Sequence, residues 1–197
     1  MQNKLVSIII PIYNQEKLIV RALDSIPKRD DIEVICIDDC STDNTWNVLN
    51  NYNRIPLKLF RNNKNIGTGA STNIGYNNAK GQWIIGLDND DYFITNEFNK
   101  AINILNQKYD MIFISNRVND GSIWDGEDRT AIWSYFIKKD FLKNYRMPET
   151  RWAADFDLTK SLMKLKPKIY NTKICAYHYN YPREGSIVWN HTHKIEK

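Results

Sequence analysis

Short apolar runs alternate with helically spaced apolar residues through the first half of the chain. The nearly continuous β-branched runs predict buried strands, and Pro11 is expected to end the first of them. Apolar residues at helical spacing predict a helix after each of the first three strands, with N-cap oxygens at 41–43 and Gly81 as a C-cap. The predicted strands are 6–10, 32–37, 57–60 and 83–87, and the predicted helices are centred on 18–26, 46–49 and 70–79.

The β-α-β-α-β-α-β order predicts an α/β, Rossmann-like fold with a mostly parallel central sheet and helices on both faces. The second half is less regular, and Thr95 is expected to cap its first helix. We find no linker or repeat and predict one domain over 1–197. The elements predicted for the second half are helices at 95–105, 139–144 and 155–165, strands at 111–114 and 174–179, and a loop at 117–129.

The fourth predicted strand ends in a dense group of carboxylates. Asp88, Asp90 and Asp91 fall within four positions, directly after an apolar run. Such a cluster repels itself unless a cation neutralises it, and Mg²⁺ or Mn²⁺ prefers carboxylate oxygens and shares its shell with phosphates. Tyr13 and Asp39 also follow predicted strand ends. Ligands bind beyond the carboxyl ends of such strands, so the three clusters predict one site for a phosphate-bearing substrate.

Composition narrows the classes of function without choosing one. The 197 residues carry a net charge of +4 and three cysteines with no zinc or disulfide spacing. The basic residues are scattered, so no nucleic-acid footprint is visible. No apolar run approaches the roughly 20 residues of a membrane-spanning helix, and the N-terminus lacks a signal-peptide pattern. We therefore expect a cytoplasmic protein, either free or held peripherally at a membrane.

An ordered set of motifs resembles the family 2 glycosyltransferases, which have the GT-A fold. The resemblance is dense from residue 5 to residue 91 and thinner afterwards. It implies inverting transfer of a hexosyl or N-acetylhexosaminyl group from a nucleoside-diphosphate sugar, commonly a UDP-sugar, to an acceptor hydroxyl. It also implies a donor-binding half at 1–91 and an acceptor half at 92–197. The motifs are SIIIPIYN at 7–14, IDDCSTD at 37–43, NIG at 65–67 and 73–75, AKG at 79–81 and LDNDD at 87–91.

The resemblance assigns the donor site residue by residue. Asp90 of the D-x-D pair is the expected ligand of Mn²⁺ or Mg²⁺, Asp88 contacts the donor's ribose or the metal shell, and Asp91 supports the site. Asp39 matches the residue that hydrogen-bonds the donor base, although capping of the following turn would also explain it. The remaining predicted donor-site residues are Pro11, Tyr13, Asn65 and Gly67. Simple packing would also explain Tyr13, and turn chemistry would also explain Asn65 and Gly67.

The acceptor half carries half of a catalytic motif. The family's pair of acids at a helix start corresponds here to Ala154 and Asp155, so Asp155 is the predicted general base, ahead of Asp157 and Glu149. Capping of its own helix is the alternative role for Asp155. His178 is a second predicted metal ligand, although a satisfied structural histidine is the commoner case.

Two departures from the family pattern leave other functions open. Thr72 stands where the family often has an arginine, and Lys64 or Arg61 is the nearest candidate to replace that cation. Together with Ala154, this departure motivates a non-catalytic nucleotide-sugar-binding module. A nucleotidyltransferase is disfavoured because no glycine-rich basic loop follows the first strand. A glycoside hydrolase is disfavoured because the acids are clustered rather than opposed. The acceptor is open among glycans, lipid-linked intermediates and other hydroxyl-bearing molecules.

Overall fold

The computed structural model describes residues 4–125, 131–148 and 154–184. Its first half has the predicted alternation of strands and helices, with most boundaries within two residues of those expected. Asn44 directly precedes the second helix, and Asp43, one of the predicted capping residues, accepts the N–H of its first residue Thr45 at 3.0 Å; Ala79 rather than the predicted Gly81 follows the third helix. The elements are β1 Val6–Ile12, α1 Ile19–Asp24, β2 Ile32–Asp38, α2 Thr45–Asn51, β3 Leu57–Arg61, α3 Thr68–Asn78 and β4 Trp83–Gly86.

The second half contains the predicted helices and strands together with short elements that the pattern did not predict. Thr95 is the first residue of α4 rather than its cap, and its hydroxyl donates to the carbonyl of Ser25 at 2.9 Å. A 3₁₀-helix at Ile132–Ser134 precedes β8. The elements are β5 Tyr92–Phe93, α4 Thr95–Asn103, β6 Met111–Arg117, β7 Ile123–Trp124, β8 Tyr135–Lys138, α5 Lys139–Leu142, α6 Ala154–Met163 and β9 Ile169–His178.

All of these strands belong to one sheet, in the order β3-β2-β1-β4-β8-β6-β9-β5, with β7 paired to β6. The first four strands are parallel, and β8 runs antiparallel to both β4 and β6. β9 is parallel to β6, so most residue pairs across the sheet are parallel. The predicted α/β class and mostly parallel sheet are confirmed.

Pro11 does not end the first strand, as the sequence suggested, but lies inside it. The carbonyls of Leu5 and Ile9 accept hydrogen bonds from the β4 side, and the backbone of Pro11 faces that side too. The register between β1 and β4 ends at Ile9 and Gly86, so the missing N–H of Pro11 faces no strand. The strand therefore continues to Ile12 along β2 and carries its last residues into the site.

The sheet divides the core into two layers, and helices cover both. Ile8 and Ile10 of β1 pack with α1 and α4 on one face, while Ile9 packs with α3 and α6 on the other. All seven residues of β1 are buried, as expected of a central strand. Within the three described ranges, no helix is both long enough and apolar enough to cross a membrane.

Candidate functional site

A cleft of about 1060 Å³ opens beyond the carboxyl ends of β1, β2 and β4. This is the edge at which the sequence placed the ligand, and the cleft brings the three polar clusters together. It also recruits the start of α6 and the residues that follow β9. The predicted site residues that line it are Pro11, Tyr13, Asp39, Asn65, Gly67, Asp88, Asp90 and Asp155.

Asp39 forms the floor of the cleft beneath the 62–67 loop. It is 3% exposed, and its Oδ1 accepts hydrogen bonds from Asn62 Nδ2 at 2.8 Å and from the Ile66 N–H at 2.9 Å. Its Oδ2 accepts from the Gly67 N–H at 2.8 Å. The carboxylate thus fixes the loop and still faces the cleft. The capping role considered for Asp39 is replaced by this loop-fixing role.

Gly67 and Pro11 supply backbone to the cleft wall. Gly67 precedes α3 with φ of 90°, in the region that favours glycine over any residue with a Cβ. The carbonyl of Pro11 accepts a 2.6 Å hydrogen bond from Asn89 Nδ2, which ties the end of β1 to the carboxylate-rich loop. Tyr13 is 42% exposed at the rim, so its ring is available for stacking.

The carboxylates after β4 lie in unequal environments. Burial, and then the charges of Asp91, Asp90 and Asp155, raise the pKa of Asp88 well above its usual range. Asp91 is 1% exposed, and burial together with Asp90 raises its pKa to about 8. Its oxygens accept from the Tyr177 hydroxyl at 2.7 Å and from the Asn180 N–H at 2.8 Å. Crowding and burial therefore favour the protonated forms of Asp88 and Asp91, and a cation at this end of the cleft would favour their ionised forms.

Asp90 forms an ion pair with Arg183. Nε and Nη2 of Arg183 donate to Oδ2 of Asp90 at 2.9 and 2.6 Å. The carbonyl of Asp90 accepts from Arg21 Nη2 at 2.6 Å. The expected metal ligand thus has a cationic partner from the segment after β9.

Asp155 enters the cleft from the first turn of α6. Burial raises its pKa, against hydrogen bonds from the backbone N–H groups of Phe156 and of Asp155 itself. A raised pKa makes the carboxylate a better proton acceptor, and the same backbone contacts show that it also interacts with the helix start. Asp157 is exposed and does not line the cleft. Glu149 lies outside the described residues.

The approach of α3 to α6 positions Asp155. A Cβ on Gly69 would lie 2.2 Å from the carbonyl oxygen of Pro148 and 3.4 Å from the Cβ of Ala154. Only a residue without a side chain permits this approach at Gly69. The first and second halves of the chain therefore meet at a backbone contact beside the predicted base.

His178 is not brought to the cleft. Its ring stacks on Tyr92 with centroids 4.3 Å apart, and burial, Arg21 and Arg117 lower its pKa. Side chains alternate along a strand, so Tyr177 and Tyr179 share the opposite face of β9, and both contact Trp133. Of these three, Tyr179 and Trp133 line the cleft. The alternation in Tyr-His-Tyr was the signal that could have identified the tyrosines.

Neither of the cations considered as replacements for the one missing at Thr72 is at the cleft. Arg61 Nε lies 3.0 Å from Asp38 Oδ2, and its guanidinium lies over the Trp46 ring. Lys64 is exposed and does not line the cleft. Among the described lining residues, the basic ones are Lys17 and Arg183.

The carboxylates at the cleft suit a hard divalent cation when a substrate phosphate completes the coordination of that cation. Among the residues that the structure describes, no group of three or more His, Cys, Asp or Glu side chains is arranged to hold a metal ion. The cleft instead offers carboxylates of Asp88 and Asp90. Mg²⁺ binds through one or two carboxylates together with substrate phosphates and water, so these two acids suit the shared site.

Comparison with solved structures identifies the fold. The crystal structure of TarS from Staphylococcus aureus in complex with UDP-GlcNAc superposes with a TM-score of 0.80 at 24% identity, covering 92% of this chain and 60% of that one. The mannosyltransferase PcManGT from Pyrobaculum calidifontis, in complex with GDP-Man and Mn²⁺, gives a TM-score of 0.72 at 17% identity, covering 94% and 59%. The fold is that of the GT-A glycosyltransferases.

Sequence comparison identifies the family. The model of glycosyl transferase family 2 matches residues 7–160, and the chain belongs to that family. An uncharacterized glycosyltransferase of Haemophilus influenzae is 32% identical over 112 residues, covering 56% of this chain and 37% of the relative. The glucosyltransferase WfaP of Escherichia coli is 30% identical over 141 residues, covering 71% and 49%. The matched stretches thus span less than half of these relatives.

Proposed function

We propose that the chain transfers a sugar, with inversion, from a UDP-sugar to an acceptor hydroxyl, with Asp155 as the general base. The observation that carries this proposal is the convergence of Asp39, Asp88 and Asp155 on one cleft from three separate elements. The cleft has the volume of a small-molecule site. Related proteins named for UDP-GlcNAc and UDP-Glc support this class of donor.

The donor base lies against the Asp39 end of the cleft. Among the described residues, Asp39 Oδ2 accepts one hydrogen bond, from the Gly67 N–H, so it is the oxygen that accepts the uracil N–H. Tyr13 at the rim packs on the base, and the backbone at Pro11 and at Asn65 to Gly67 closes the pocket. The diphosphate then lies toward Asp88 and Asp90, where the cation is shared.

Asp155 takes the proton of the acceptor hydroxyl as the hydroxyl oxygen attacks the anomeric carbon of the sugar. The bond from that carbon to the diphosphate oxygen breaks, and the electron pair leaves with the diphosphate. When bound, Mn²⁺ or Mg²⁺ stabilises the charge that develops on this leaving group. The raised pKa of Asp155 suits proton transfer near neutral pH.

Substitution of Asp155 by Asn tests the base assignment. Asp155→Asn keeps the size of the side chain and removes the proton acceptor, so transfer should fall by about 10²- to 10⁴-fold while UDP affinity stays within about twofold of wild type. Asp157→Asn, an exposed acid on the same helix, is the matched control and should retain transfer. Loss of UDP binding together with transfer in Asp155→Asn would instead assign Asp155 a structural role.

A donor and acceptor panel separates transfer from binding alone. Thermal shift with UDP-GlcNAc, UDP-Glc and GDP-Man, each with and without Mn²⁺, should select a UDP-sugar, because ligand binding raises stability by mass action. The acceptors to test first are poly(ribitol phosphate) and undecaprenyl-diphosphate-linked GlcNAc, the substrates named for TarS and WfaP. Donor binding with no turnover on either acceptor would favour the non-catalytic module.

A further inference from the structure

The ion pair between Asp90 and Arg183 places a protein cation on the carboxylate that the proposed function gives to the metal. Both donors of Arg183 go to the same oxygen, Oδ2, at 2.9 and 2.6 Å. The side chains of Arg183 and Asp90 are 27% and 21% exposed, respectively, so the pair is partly shielded from water. A metal ion that binds Asp90 therefore competes with Arg183 for the same carboxylate.

The charge balance of the cleft makes this competition consequential. Among the described residues that line the cleft, six are acidic and two, Lys17 and Arg183, are basic. Lys17 is exposed, whereas Arg183 lies at the carboxylate cluster. The acidic lining residues are Glu16, Asp39, Asp43, Asp88, Asp90 and Asp155. A nucleoside diphosphate adds further negative charge to the cleft, so each cation that the cleft contains stabilises the bound phosphates.

We propose that Arg183 and the divalent cation exchange at Asp90. Without donor, Arg183 neutralises Asp90. When a nucleoside diphosphate enters with its cation, Asp90 would hold the cation, and Arg183 leaves Asp90 and pairs with the diphosphate. A guanidinium fork binds phosphate as well as carboxylate, so each charge keeps a partner throughout. The inference rests on the proposed function, because it names the partner that Arg183 acquires.

The exchange couples metal binding to nucleotide binding. Metal alone must displace Arg183 and leave it without an anion, which weakens metal binding. Metal together with UDP gives Arg183 a new anion, which removes that penalty. Each ligand therefore increases the affinity for the other, and the coupling is reciprocal.

Arg21 provides the matched control. It also donates to Asp90, at 2.6 Å, but to the main-chain carbonyl rather than to the carboxylate. It lies over the ring of Tyr92 at 4.9 Å from the centroid, so its guanidinium is held elsewhere. Arg21→Gln removes one positive charge near Asp90, as Arg183→Gln does, but it leaves the bonds from Arg183 to Asp90 Oδ2 in place.

Calorimetry on the full chain tests the exchange with MnCl₂ and UDP as separate probes. Arg183→Gln should bind Mn²⁺ alone about tenfold more tightly than wild type, and saturating Mn²⁺ should increase its affinity for UDP about tenfold less than it increases that of wild type. Arg183→Lys keeps the charge, so its affinity for Mn²⁺ should stay close to that of wild type. Arg21→Gln should change neither affinity by more than about twofold.

The outcomes separate this inference from the proposed function. If Arg183→Gln melts within a few degrees of wild type and its affinity for Mn²⁺ alone is unchanged, the exchange is wrong, even where wild type binds UDP with Mn²⁺. If wild type binds no UDP with or without Mn²⁺, the proposed function itself fails. Equal tightening of Mn²⁺ binding in Arg21→Gln would show a general charge effect and would also overturn the exchange.

Discussion

The Tyr177 hydroxyl donates a 2.7 Å hydrogen bond to Asp91, a carboxylate that is 1% exposed, from a residue 86 positions later in the chain. The same hydroxyl accepts from the Asp88 N–H at 3.1 Å. One phenol therefore connects β9 to the loop that carries the D-x-D pair. The orientation of that loop depends on a residue with no charge of its own.

Tyr177→Phe should reduce the free energy of unfolding by about 1–3 kcal/mol, because it leaves the buried Asp91 with one donor fewer. The ring contacts with Trp133 and Phe93 persist in the variant. Urea denaturation measures the loss. Tyr181→Phe, a partly exposed tyrosine of the same segment, is the control and should change stability by less than about 0.5 kcal/mol. If the two variants were equally stable, the Tyr177 hydrogen bond would not contribute to the stability of the loop.

Gly69→Ala should destabilise the chain by about 1–3 kcal/mol, since its Cβ would lie 2.2 Å from the Pro148 carbonyl oxygen. Helix propensity alone predicts the opposite sign, because alanine stabilises a helix interior by about 1 kcal/mol relative to glycine. The sign of the change in melting temperature thus decides between the two effects.

Gly86→Ala is the control for Gly69→Ala, since its Cβ would lie 3.7 Å from the Cβ of Trp133, an ordinary contact. It should fold with stability close to that of wild type. A stabilising Gly69→Ala would mean that the backbone contact between the two halves is not needed.

Asp39→Asn should weaken both the 62–67 loop and nucleotide binding. The amide that replaces one oxygen would turn a donor toward an N–H, either of Ile66 or of Gly67. We expect a lower melting temperature and at least about tenfold weaker UDP binding by calorimetry.

Asn62→Ala separates the two roles of Asp39. It removes one 2.8 Å donor to Asp39 and touches no predicted nucleoside contact. The melting temperature should fall while UDP affinity stays within about threefold of wild type. A parallel loss of affinity would show that nucleotide recognition acts through loop order rather than through the carboxylate.

The buried Glu33 predicts how stability falls in acid. Burial opposes its ionisation, but hydrogen bonds from Lys58, Ser7 and the Lys80 N–H outweigh burial and lower its pKa from 4.5. The unfolded chain therefore takes up the proton first, so this stabilisation is complete above pH 4.5 and is lost as pH falls through the lower folded pKa.

Thermal melts from neutral to acidic pH measure the contribution of Glu33. Glu33→Gln should be less stable than wild type at neutral pH and lose less stability on acidification. Glu97→Gln, which removes a partly exposed carboxylate paired with Lys100, is the control and should follow wild type. Parallel melting curves for wild type and Glu33→Gln would exclude the linkage.

The sequence predicted the first half of the fold because its periodicities are clean. The runs that became β1 and β2 are buried on both faces, and such strands lack the ambiguity of half-exposed ones. β8 was missed because Tyr135–Lys138 is four residues long and directly adjoins two short helices. Nothing local marks it as the strand that lies between β4 and β6.

The candidate site was predicted where motif and strand end coincide, as at Asp39 and Asp88. The pairing of Arg183 with Asp90 was not predicted. Arg183 meets Asp90 across 93 positions, a contact that no local pattern encodes. His178 was named as a second metal ligand from the family resemblance, and in the structure its ring stacks on Tyr92, on the side of the strand opposite to Tyr177 and Tyr179.

The order of the strands has a consequence for how this chain can be altered. β2 and β3 extend the sheet on one side of β1, and β4 extends it on the other. The loops after β1 and β4 lie on either side of a gap that begins beyond Ile9 and Gly86, the last paired residues of these strands, and the Asn89 side chain bridges it to the Pro11 carbonyl. Side chains in that gap can be exchanged while every strand keeps its partners. Donor preference should accordingly be open to redesign without loss of folding.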